Sequence, residues 1–317
     1  MQAAVIGRYG PPDAIRIETR DDPLPRAGQL LVRVESAAVT SGDARIRAGR
    51  FPAGFGALAR LAIGLRGPRR SILGGTFSGV VEALGPDSGD FAVGDAVSGM
   101  TGARFGAHAE LLVAPTRSTT RKPEALSHDA AAAVLFGGST ALHFLHERAR
   151  VREGDRVLVN GGSGSVGISA IQLARNAGAR VSAVVSSRNR DLVMALGANE
   201  VIDYTTTPVS QLSGDYDVVF DTVGNFGGAD GSRLVGLNGS LLLVVANLRD
   251  TVFARGRVHA GPAPERADHF ATLLELAATG SLDPVAETLG GLAALPEAYR
   301  IIDSGRKVGN LVIRPGL

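Results

Sequence analysis

Three glycines follow a short apolar run in the second half of this 317-residue chain. Residues 157–159 are Val-Leu-Val, and Gly162, Gly164 and Gly167 come after them with G-x-G-x-x-G spacing. In this motif the first glycine permits a tight turn, the second lets the backbone approach a pyrophosphate, and the third lets strand and helix pack closely. Amides at the helix N-terminus then face the phosphates. The spacing predicts a dinucleotide site, with a structural glycine turn or an S-adenosylmethionine fold as alternatives.

The end of the next apolar run indicates which dinucleotide binds. An NAD site usually has an acid roughly 20 residues after the glycines, where it bonds the ribose 2′-hydroxyl. Ser186, Ser187 and Arg188 occupy this region, and no acid precedes Asp191. A guanidinium and hydroxyl donors suit the oxyanion of a 2′-phosphate, although an arginine can stand at a helix start by chance. The sequence therefore favours NADPH.

Metal ligands and strong nucleophiles are scarce in the sequence. The chain has no cysteine, which excludes disulfides, thiolate nucleophiles and cysteine-ligated zinc or iron–sulfur clusters. His108 stands alone, and His143 and His146 are three residues apart without an evident third ligand. A packed or surface imidazole is the simpler interpretation of each. We predict no metal site.

Composition limits the class of protein. Hydrophobic residues make up 44% of the chain and charged residues 20%, which is typical of a globular protein with room for two domains. A net charge of +2 gives no case for nucleic-acid binding. No apolar run reaches the roughly 18 residues of a membrane span, and the first residues lack a signal-peptide pattern. We expect a cytoplasmic protein with a small-molecule substrate and no nucleic-acid or membrane partner.

The first part of the chain reads as short strands broken by turns. Alternating side-chain character predicts a half-buried strand over residues 29–35. Residues 79–85, 94–99 and 109–114 complete a glycine-punctuated β region. The apolar stretch 54–70 interrupts it, either as a short helix or as a mobile flap.

From about residue 127 strands alternate with helical patterns, which indicates βαβ units and a parallel sheet. The predicted strands are 156–160, 180–185, 200–202, 217–221 and 240–246, and the predicted helices include 167–176 and 190–196. The tail 307–313 returns to strand character. It could complete the N-terminal domain.

Residues 250–258 are predicted to form a further edge strand after residues 240–246, the last of these strands. An exposed edge containing Val252 and Phe253 invites pairing with another chain. A two-fold symmetric contact would satisfy its backbone groups, so we expect a homodimer. The alternative is a monomer whose edge is blunted by Arg255, Arg257 and the proline-containing segment 261–264.

Taken together, these stretches resemble the zinc-independent medium-chain dehydrogenases/reductases, which include quinone oxidoreductases, zeta-crystallin-like proteins and enone or enoyl reductases. The matching pieces occur in order at residues 38–49, 73–81, 93–97, 106–110, 137–141, 160–167 and 201–204. The resemblance implies an α/β protein with two domains. A GroES-like β-rich catalytic domain would cover residues 1–125, completed by 282–317, and a Rossmann domain with a doubly wound parallel sheet would cover 126–281. Nicotinamide and substrate would share the cleft between them.

The resemblance also implies cofactor contacts beyond the glycine loop. It puts Thr140 beside the nicotinamide, Tyr204 near the adenosine, and Val223, Ala246 and Asn247 along the later path of the cofactor. The predicted cofactor-binding residues are Thr140, Gly162, Ser163, Gly164, Ser165, Val166, Gly167, Ser186, Ser187, Arg188, Tyr204, Val223, Ala246, Asn247 and Asn310.

Three positions depart from the family pattern. Residues 40–43 are Thr-Ser-Gly-Asp where relatives often have Asn-Pro-x-Asp, so only the aspartate is kept. Phe51 replaces the tyrosine of a Gly-x-Tyr-Pro stretch whose hydroxyl is a candidate proton donor. Asn310 stands where relatives tend to have a lysine after glycine. The last change puts one usual cofactor contact in doubt.

Without a Lewis acid, reduction is easiest where the hydride acceptor already carries an electron sink. We therefore expect NADPH-dependent hydride transfer to a quinone or an α,β-unsaturated carbonyl. The candidate catalytic residues are Thr40, Ser41 and Asp43, with a hydroxyl or solvent delivering the proton. Asp43 could instead be a structural carboxylate that bonds backbone amides. The alternative function is an NADPH-binding protein of low activity with a sensor or structural role.

Overall fold

The computed structural model describes residues 1–226 and 228–317. Its strands are β1 (Gln2–Val5), β2 (Arg16–Thr19), β3 (Gln29–Val39), β4 (Thr76–Leu84), β5 (Ala96–Met100), β6 (Leu111–Pro115), β7 (Thr119–Arg121), β8 (Arg156–Asn160), β9 (Arg180–Val185), β10 (Glu200–Asp203), β11 (Tyr216–Asp221), β12 (Val235–Leu243), β13 (Val258–Ala260), β14 (Ala286–Thr288) and β15 (Asn310–Ile313). Its α-helices are α1 (Ser41–Ala48), α2 (Gly56–Ile63), α3 (His128–Leu142), α4 (Ser165–Asn176), α5 (Arg190–Ala195), α6 (Gly228–Ser232), α7 (Leu248–Val252), α8 (Ala267–Ala278) and α9 (Leu295–Asp303). Among these helices, none is long and apolar enough to cross a membrane.

Strands β8 to β13 form a parallel sheet in the order β10-β9-β8-β11-β12-β13. This is the doubly wound 3-2-1-4-5-6 order, in which crossover helices cover both faces. The valine-rich strands β8 and β9 are buried along nearly their whole length, as expected when both faces are covered. The prediction of a Rossmann sheet is confirmed, and the bounds of β8 and β9 match the predicted strands.

The second large sheet is mostly antiparallel and has the order β14-β15-β3-β4-β5-β7, with β6 paired to β3. Strand β3 alternates as predicted, so that Leu30, Val32 and Val34 point into the core. The tail returns to this sheet, because β15 pairs antiparallel with β3 and opposes Leu311 to Val39. The β-rich sheet is therefore built from both ends of the chain.

Helix α3 packs between the two sheets. It contacts α4 and α8 on one side and β3, β4 and β15 on the other. Its approach to α4 is close at Gly137, where a Cβ atom would lie 2.2 Å from the Ser165 carbonyl oxygen. Only glycine fits at that distance, so this position lets the end of α3 reach the start of α4.

Two predicted strands are corrected at the edge of the parallel sheet. Residues 250–258 are not one strand, because α7 occupies Leu248–Val252 and the edge strand β13 covers only Val258–Ala260. Asn247 begins α7 as its N-cap, and its side-chain oxygen accepts a hydrogen bond from Asp250 N at 2.8 Å. An asparagine before a short helix is a capping signal, and the strand interpretation overlooked it.

The strand predicted at residues 240–246 also has different bounds in the structure. Strand β12 already starts at Val235, which pairs with Tyr216 of β11. The register then shifts, so that Val218 pairs with Ser240 and the segment 236–239 is accommodated as an irregularity in the ladder. The chain leaves the sheet after Leu243. Of the two alternatives for 54–70, the structure contains the short helix, α2.

Gly167 lies where α4 packs on the glycine loop, and it provides a test of this architecture. A Cβ atom there would lie 2.1 Å from the Gly161 carbonyl oxygen. We expect Gly167→Ala to lower the free energy of unfolding by about 2 kcal/mol or more, because backbone must shift to relieve the overlap. Gly56→Ala is the matched control, since no atom lies within 4 Å of its Cβ position. Denaturant unfolding followed by circular dichroism measures both, and unchanged stability of Gly167→Ala would contradict the packing.

Candidate active site

A cleft of about 410 Å³ lies between the two sheets, where the start of α1, the end of α3 and the start of α4 converge. The first turn of α1 contributes Ser41, α3 contributes Thr140, and the glycine loop and α4 contribute residues 164–166. The loop after β12 contributes Val244 and Val245. The cleft thus collects side chains from segments more than 200 residues apart in the chain.

The glycine loop connects β8 to α4 at the point where the strand order of the parallel sheet reverses. Gly161, with φ of 83°, adopts the left-handed conformation that the turn requires. Gly162, the residue predicted to permit the turn, has no positive φ and packs against Ala183, Ile171 and Val185 instead. Gly164 borders the cleft with space around it, since the nearest atom to its Cβ position is 3.5 Å away. Backbone at Gly164 can therefore approach a ligand closely.

The C-terminal segment holds the glycine loop in place. Gly309 N donates to the Ser163 carbonyl oxygen at 2.9 Å. Ser165 Oγ donates to Asn310 Oδ1 at 2.5 Å, and Asn310 Nδ2 donates to the Pro284 carbonyl oxygen at 2.6 Å. Both polar ends of the buried Asn310 amide are thus engaged within the protein. Its contribution to the site is to position the start of α4, whereas a direct cofactor contact stays a prediction.

The end of β9 presents the groups predicted for a 2′-phosphate. Ser186 is buried, and its hydroxyl has no hydrogen-bond partner in the described part of the chain. Ser187 and Arg188 are exposed beside it. Asn189 Nδ2 donates to Ser163 Oγ at 3.0 Å and ties this segment to the glycine loop. A buried hydroxyl without a partner is costly in a folded protein, so a ligand oxygen at this position would be stabilising.

Asp203, at the end of β10, is an acid near this segment that the sequence analysis did not weigh. Its Oδ2 accepts from Ser187 N at 3.1 Å, and its Oδ1 accepts from Thr205 N and Oγ1 at 2.8 and 2.7 Å. The hydrogen bonds from Thr205 and Ser187 lower the pKa of Asp203. The half-exposed Tyr204 follows, with its amide bonded to the Val185 carbonyl oxygen. Asp203 therefore holds the segment that carries Ser187.

The three candidate catalytic residues occupy two kinds of position, and their catalytic roles stay predictions. Thr40 and Asp43 are buried and form a capping box on α1, in which Thr40 Oγ1 lies 2.7 Å from Asp43 Oδ2 and accepts from Asp43 N at 3.2 Å. Asp43 also accepts from Gly74 N at 3.2 Å, which is the structural role left open above. Neither residue borders the cleft. Ser41 borders it, and its hydroxyl has no partner among the described residues.

Thr140 borders the cleft from α3, and its predicted place beside the nicotinamide stays a prediction. Its Oγ1 donates to the Phe136 carbonyl oxygen at 2.9 Å, so its proton is committed while its lone pairs stay open to a donor. Val223, Ala246 and Asn247 do not border the cleft. Asn247 is occupied as the N-cap of α7, and the neighbouring Val244 and Val245 line the cleft in their place.

Three charged cleft residues were missed by the sequence analysis: Arg45, Glu265 and Lys307. Burial lowers the pKa of Lys307 to about 8, and its ammonium donates to the Gly309 carbonyl oxygen. Burial raises the pKa of Glu265. Relatives tend to carry a lysine at the position of Asn310, and Lys307 lies three positions before it in the sequence. That proximity was the available signal, but neither Arg45 nor Glu265 belongs to a recognisable motif.

His108 is packed in the core, as the simpler interpretation of the sequence has it. It is buried against Gly74, and its Nδ1 lies 3.5 Å from the Tyr299 hydroxyl. Burial lowers the pKa of His108, opposed by the charge of Asp43. A catalytic zinc needs three protein ligands, and no group of three His, Cys, Asp or Glu side chains able to hold a metal occurs within residues 1–226 and 228–317. The residues present do not fit a zinc site.

Comparison with known proteins agrees with this architecture. Residues 26–124 match an alcohol dehydrogenase GroES-like domain, and residues 196–313 match a zinc-binding dehydrogenase domain. The structure of a quinone oxidoreductase from Coxiella burnetii superposes with a TM-score of 0.88, at 29% identity and with 99% of each chain covered.

Curated relatives include stand-alone reductases and parts of larger enzymes. A mitochondrial NAD(P)H oxidoreductase of Danio rerio is 29% identical over 99% of this chain and 91% of its own length. A 2-methylene-furan-3-one reductase of Solanum lycopersicum is 28% identical over 99% of this chain and 79% of its own length. A phthioceranic/hydroxyphthioceranic acid synthase of Mycobacterium tuberculosis is 30% identical over 91% of this chain. The chain spans 14% of the length of that synthase.

The lowered pKa of Lys307 predicts a pH-dependent stability. Between pH 8 and 10.5 the unfolded chain holds the lysine proton while the folded protein releases it, so the unmutated protein gains stability as the pH rises through this window. Below pH 8 the folded protein carries a charge that burial disfavours. We expect Lys307→Met to raise the free energy of unfolding at pH 7 by on the order of 1 kcal/mol, because the substitution removes a largely buried ammonium that disfavours the folded state.

Urea unfolding at pH 7, 9 and 10.5 measures this effect. The advantage of Lys307→Met should shrink steadily across the three values. Arg306→Met, at the exposed neighbouring position, is the control and should show no such trend. A Lys307→Met advantage that stays constant with pH would contradict the burial of the ammonium.

Proposed function

Because the chain belongs to the medium-chain dehydrogenase/reductase family, we propose that it is an NADPH-dependent reductase that transfers a hydride to a quinone or an α,β-unsaturated carbonyl without a metal. The observation that carries the proposal is the convergence of the glycine loop, Thr140 and Ser41 on one cleft. The backbone of the glycine loop and the hydroxyl groups of Ser41 and Thr140 therefore line the same cleft.

The cofactor part of the proposal rests on the start of α4 and the end of β9. Backbone amides at the N-terminus of α4 would receive the pyrophosphate, since Gly164 leaves room for close approach. Ser186, Ser187 and Arg188 would receive the 2′-phosphate. Asp203 is poorly available to bond a ribose 2′-hydroxyl, because both its oxygens already accept hydrogen bonds from Ser187 and Thr205. This arrangement supports NADPH over NADH.

The substrate part rests on the hydroxyl groups of the cleft. Bound NADPH would supply the hydride. Thr140 Oγ1, whose own proton is held by Phe136, would accept a hydrogen bond from the nicotinamide carboxamide and orient the ring. The unengaged Ser41 hydroxyl would donate to the carbonyl oxygen on which charge develops. A conjugated acceptor spreads that charge over its own π-system, which suits a site that offers hydroxyl donors.

The relatives support this acceptor class. The Coxiella protein is a quinone oxidoreductase. The tomato protein is a 2-methylene-furan-3-one reductase, and a methylene-furanone is an α,β-unsaturated ketone. The metal-free part rests on the ligand chemistry, because the chain has no cysteine and the surroundings of His108 do not supply three ligands.

The activity is tested by following NADPH absorbance with an ortho-quinone and with an enone, using protein dialysed against EDTA. We expect turnover of at least one acceptor at the same rate before and after dialysis, and no stoichiometric zinc by elemental analysis. One zinc per chain that is lost together with activity would overturn the metal-free mechanism. NADPH binding without turnover of either acceptor would favour the alternative of a sensor or structural protein.

Thr140→Val tests the orienting role within the same assay. The substitution keeps the side-chain shape and removes the acceptor oxygen, so we expect kcat/KM to fall about tenfold, as for one lost hydrogen bond. Thr272→Val on α8 is the matched control, since Thr272 Oγ1 donates to the Asp268 carbonyl oxygen in the same way but lies on the surface. Equal kcat/KM values for the two variants would count against this role for Thr140.

Cofactor choice is tested through Arg188. We expect NADPH to bind at least tenfold more tightly than NADH, a difference of about 1.4 kcal/mol, which one charge-assisted hydrogen bond can supply. Arg188→Ala should remove most of this preference by weakening NADPH alone. Arg180→Ala, which removes one exposed guanidinium at the opposite end of β9, should preserve it. Fluorescence titration gives the dissociation constants, and equal affinities of the unmutated protein for both cofactors would refute the assignment.

A further inference from the structure

Arg45 is a charged residue of the cleft that the proposed reaction does not use. It lies on α1, one turn after Ser41, and lines both the main cleft and a side pocket of about 340 Å³. Its guanidinium has no hydrogen-bond or ion-pair partner in the described part of the chain. Five N–H donors are thus held at the cleft without an acceptor.

The neighbouring arginines show why Arg45 is unusual. Arg47 and Arg50 both pair with the carboxylate of Asp303, at the end of α9. Arg45 receives no share of that carboxylate. Burial, with a smaller contribution from the charge of Arg50, lowers the pKa of Arg45. Its positive charge is therefore unfavourable in the folded protein unless an anion comes to it.

The side pocket combines this charge with an apolar wall. It shares Ser41, Arg45, Val245 and Ile302 with the main cleft, so the two volumes are adjacent. Phe51 and Pro52 add apolar surface to its lining. Arg50 and Asp303 line it as well, but the Asp303 carboxylate is already paired with Arg47 and Arg50. The lining therefore suits a largely apolar molecule that carries one negative charge.

The phosphates of a dinucleotide do not account for this charge. Residues 164–166 reach the main cleft from the glycine loop and the start of α4, whereas Arg45 reaches it from α1, which packs on α9. The side pocket that Arg45 lines contains no residue of the glycine loop. The group that meets Arg45 should therefore belong to the substrate.

We infer that Arg45 forms an anion-binding subsite that selects quinones or unsaturated carbonyls bearing a carboxylate or a similar anionic substituent. This inference rests on the proposed function for the reacting part of the substrate. The subsite itself requires only that the cleft binds such a molecule. Guanidinium and carboxylate form two parallel hydrogen bonds, which gives the pocket orientation as well as affinity.

The test compares 6-oxo-4-heptenoate with its methyl ester, which share the reacting enone and differ in charge at a carboxyl group two methylenes away from it. We expect the unmutated protein to prefer the acid by about tenfold or more in kcat/KM. Arg45→Met should remove that preference while changing the ester by less than about threefold, and Arg45→Lys should restore part of it. Arg66→Met removes an exposed charge outside both pockets and serves as the control. Equal use of acid and ester by the unmutated protein, or equal losses on both with Arg45→Met, would overturn the subsite.

A binding measurement separates failure of the subsite from failure of the proposed reaction. Calorimetric titration of NADPH-loaded protein with 6-oxoheptanoate, the saturated acid, and with its methyl ester needs no turnover. Tighter binding of the acid that Arg45→Met abolishes would support the subsite even if no acceptor is reduced. Equal binding of acid and ester would overturn it. Weaker NADPH binding by Arg45→Met would also overturn it, since it would assign Arg45 to the cofactor.

Discussion

The hydrogen bond from Gly309 N to the Ser163 carbonyl oxygen joins the C-terminal segment of the β-rich sheet to the glycine loop of the parallel sheet. The Asn310 amide reinforces it by bonding Ser165 and Pro284 at once. Through this contact the start of α4 acquires a fixed position relative to α1, because β15 is itself paired with β3. The cleft between Ser41, Thr140 and Gly164 depends on that arrangement.

The same constraint accounts for the positions of Thr40 and Asp43, whose catalytic role stays a prediction. Helix α1 must begin at the cleft with its first amides satisfied, and Thr40 and Asp43 provide the capping box that does this. Their hydrogen bonds are used within the protein, and Asp43 additionally holds Gly74. Ser41 is the first residue of the helix, so the cap presents its hydroxyl to the cleft without using it.

Three charged residues line the cleft, and burial shifts the pKa of each towards its neutral form. Lys307 and Arg45 both carry positive charge where burial disfavours it. Glu265, at another part of the lining, is pushed towards its neutral form. The ammonium of Lys307 has the Gly309 carbonyl oxygen as its partner. The guanidinium of Arg45 has none among the described residues, and low-polarity surroundings penalise an unpaired charge.

The sequence by itself determined the features that depend on near neighbours in the chain. The strand, glycine loop and helix from 156 to 176 could be predicted because the requirements of each glycine are steric and local, and even there the left-handed residue proved to be Gly161. The tertiary structure alone decided which charged side chains face the cleft. Arg45, Glu265 and Lys307 have no common motif. Their approach depends on the pairing of β15 with β3, in which Leu311 lies opposite Val39. The tertiary structure also decided the edge of the parallel sheet. Asn247 caps the short helix α7, which takes the place of the strand predicted at residues 250–258. The free energies of long-range strand pairing, and of a local helix against a local strand, cannot be derived from the pattern of a single sequence.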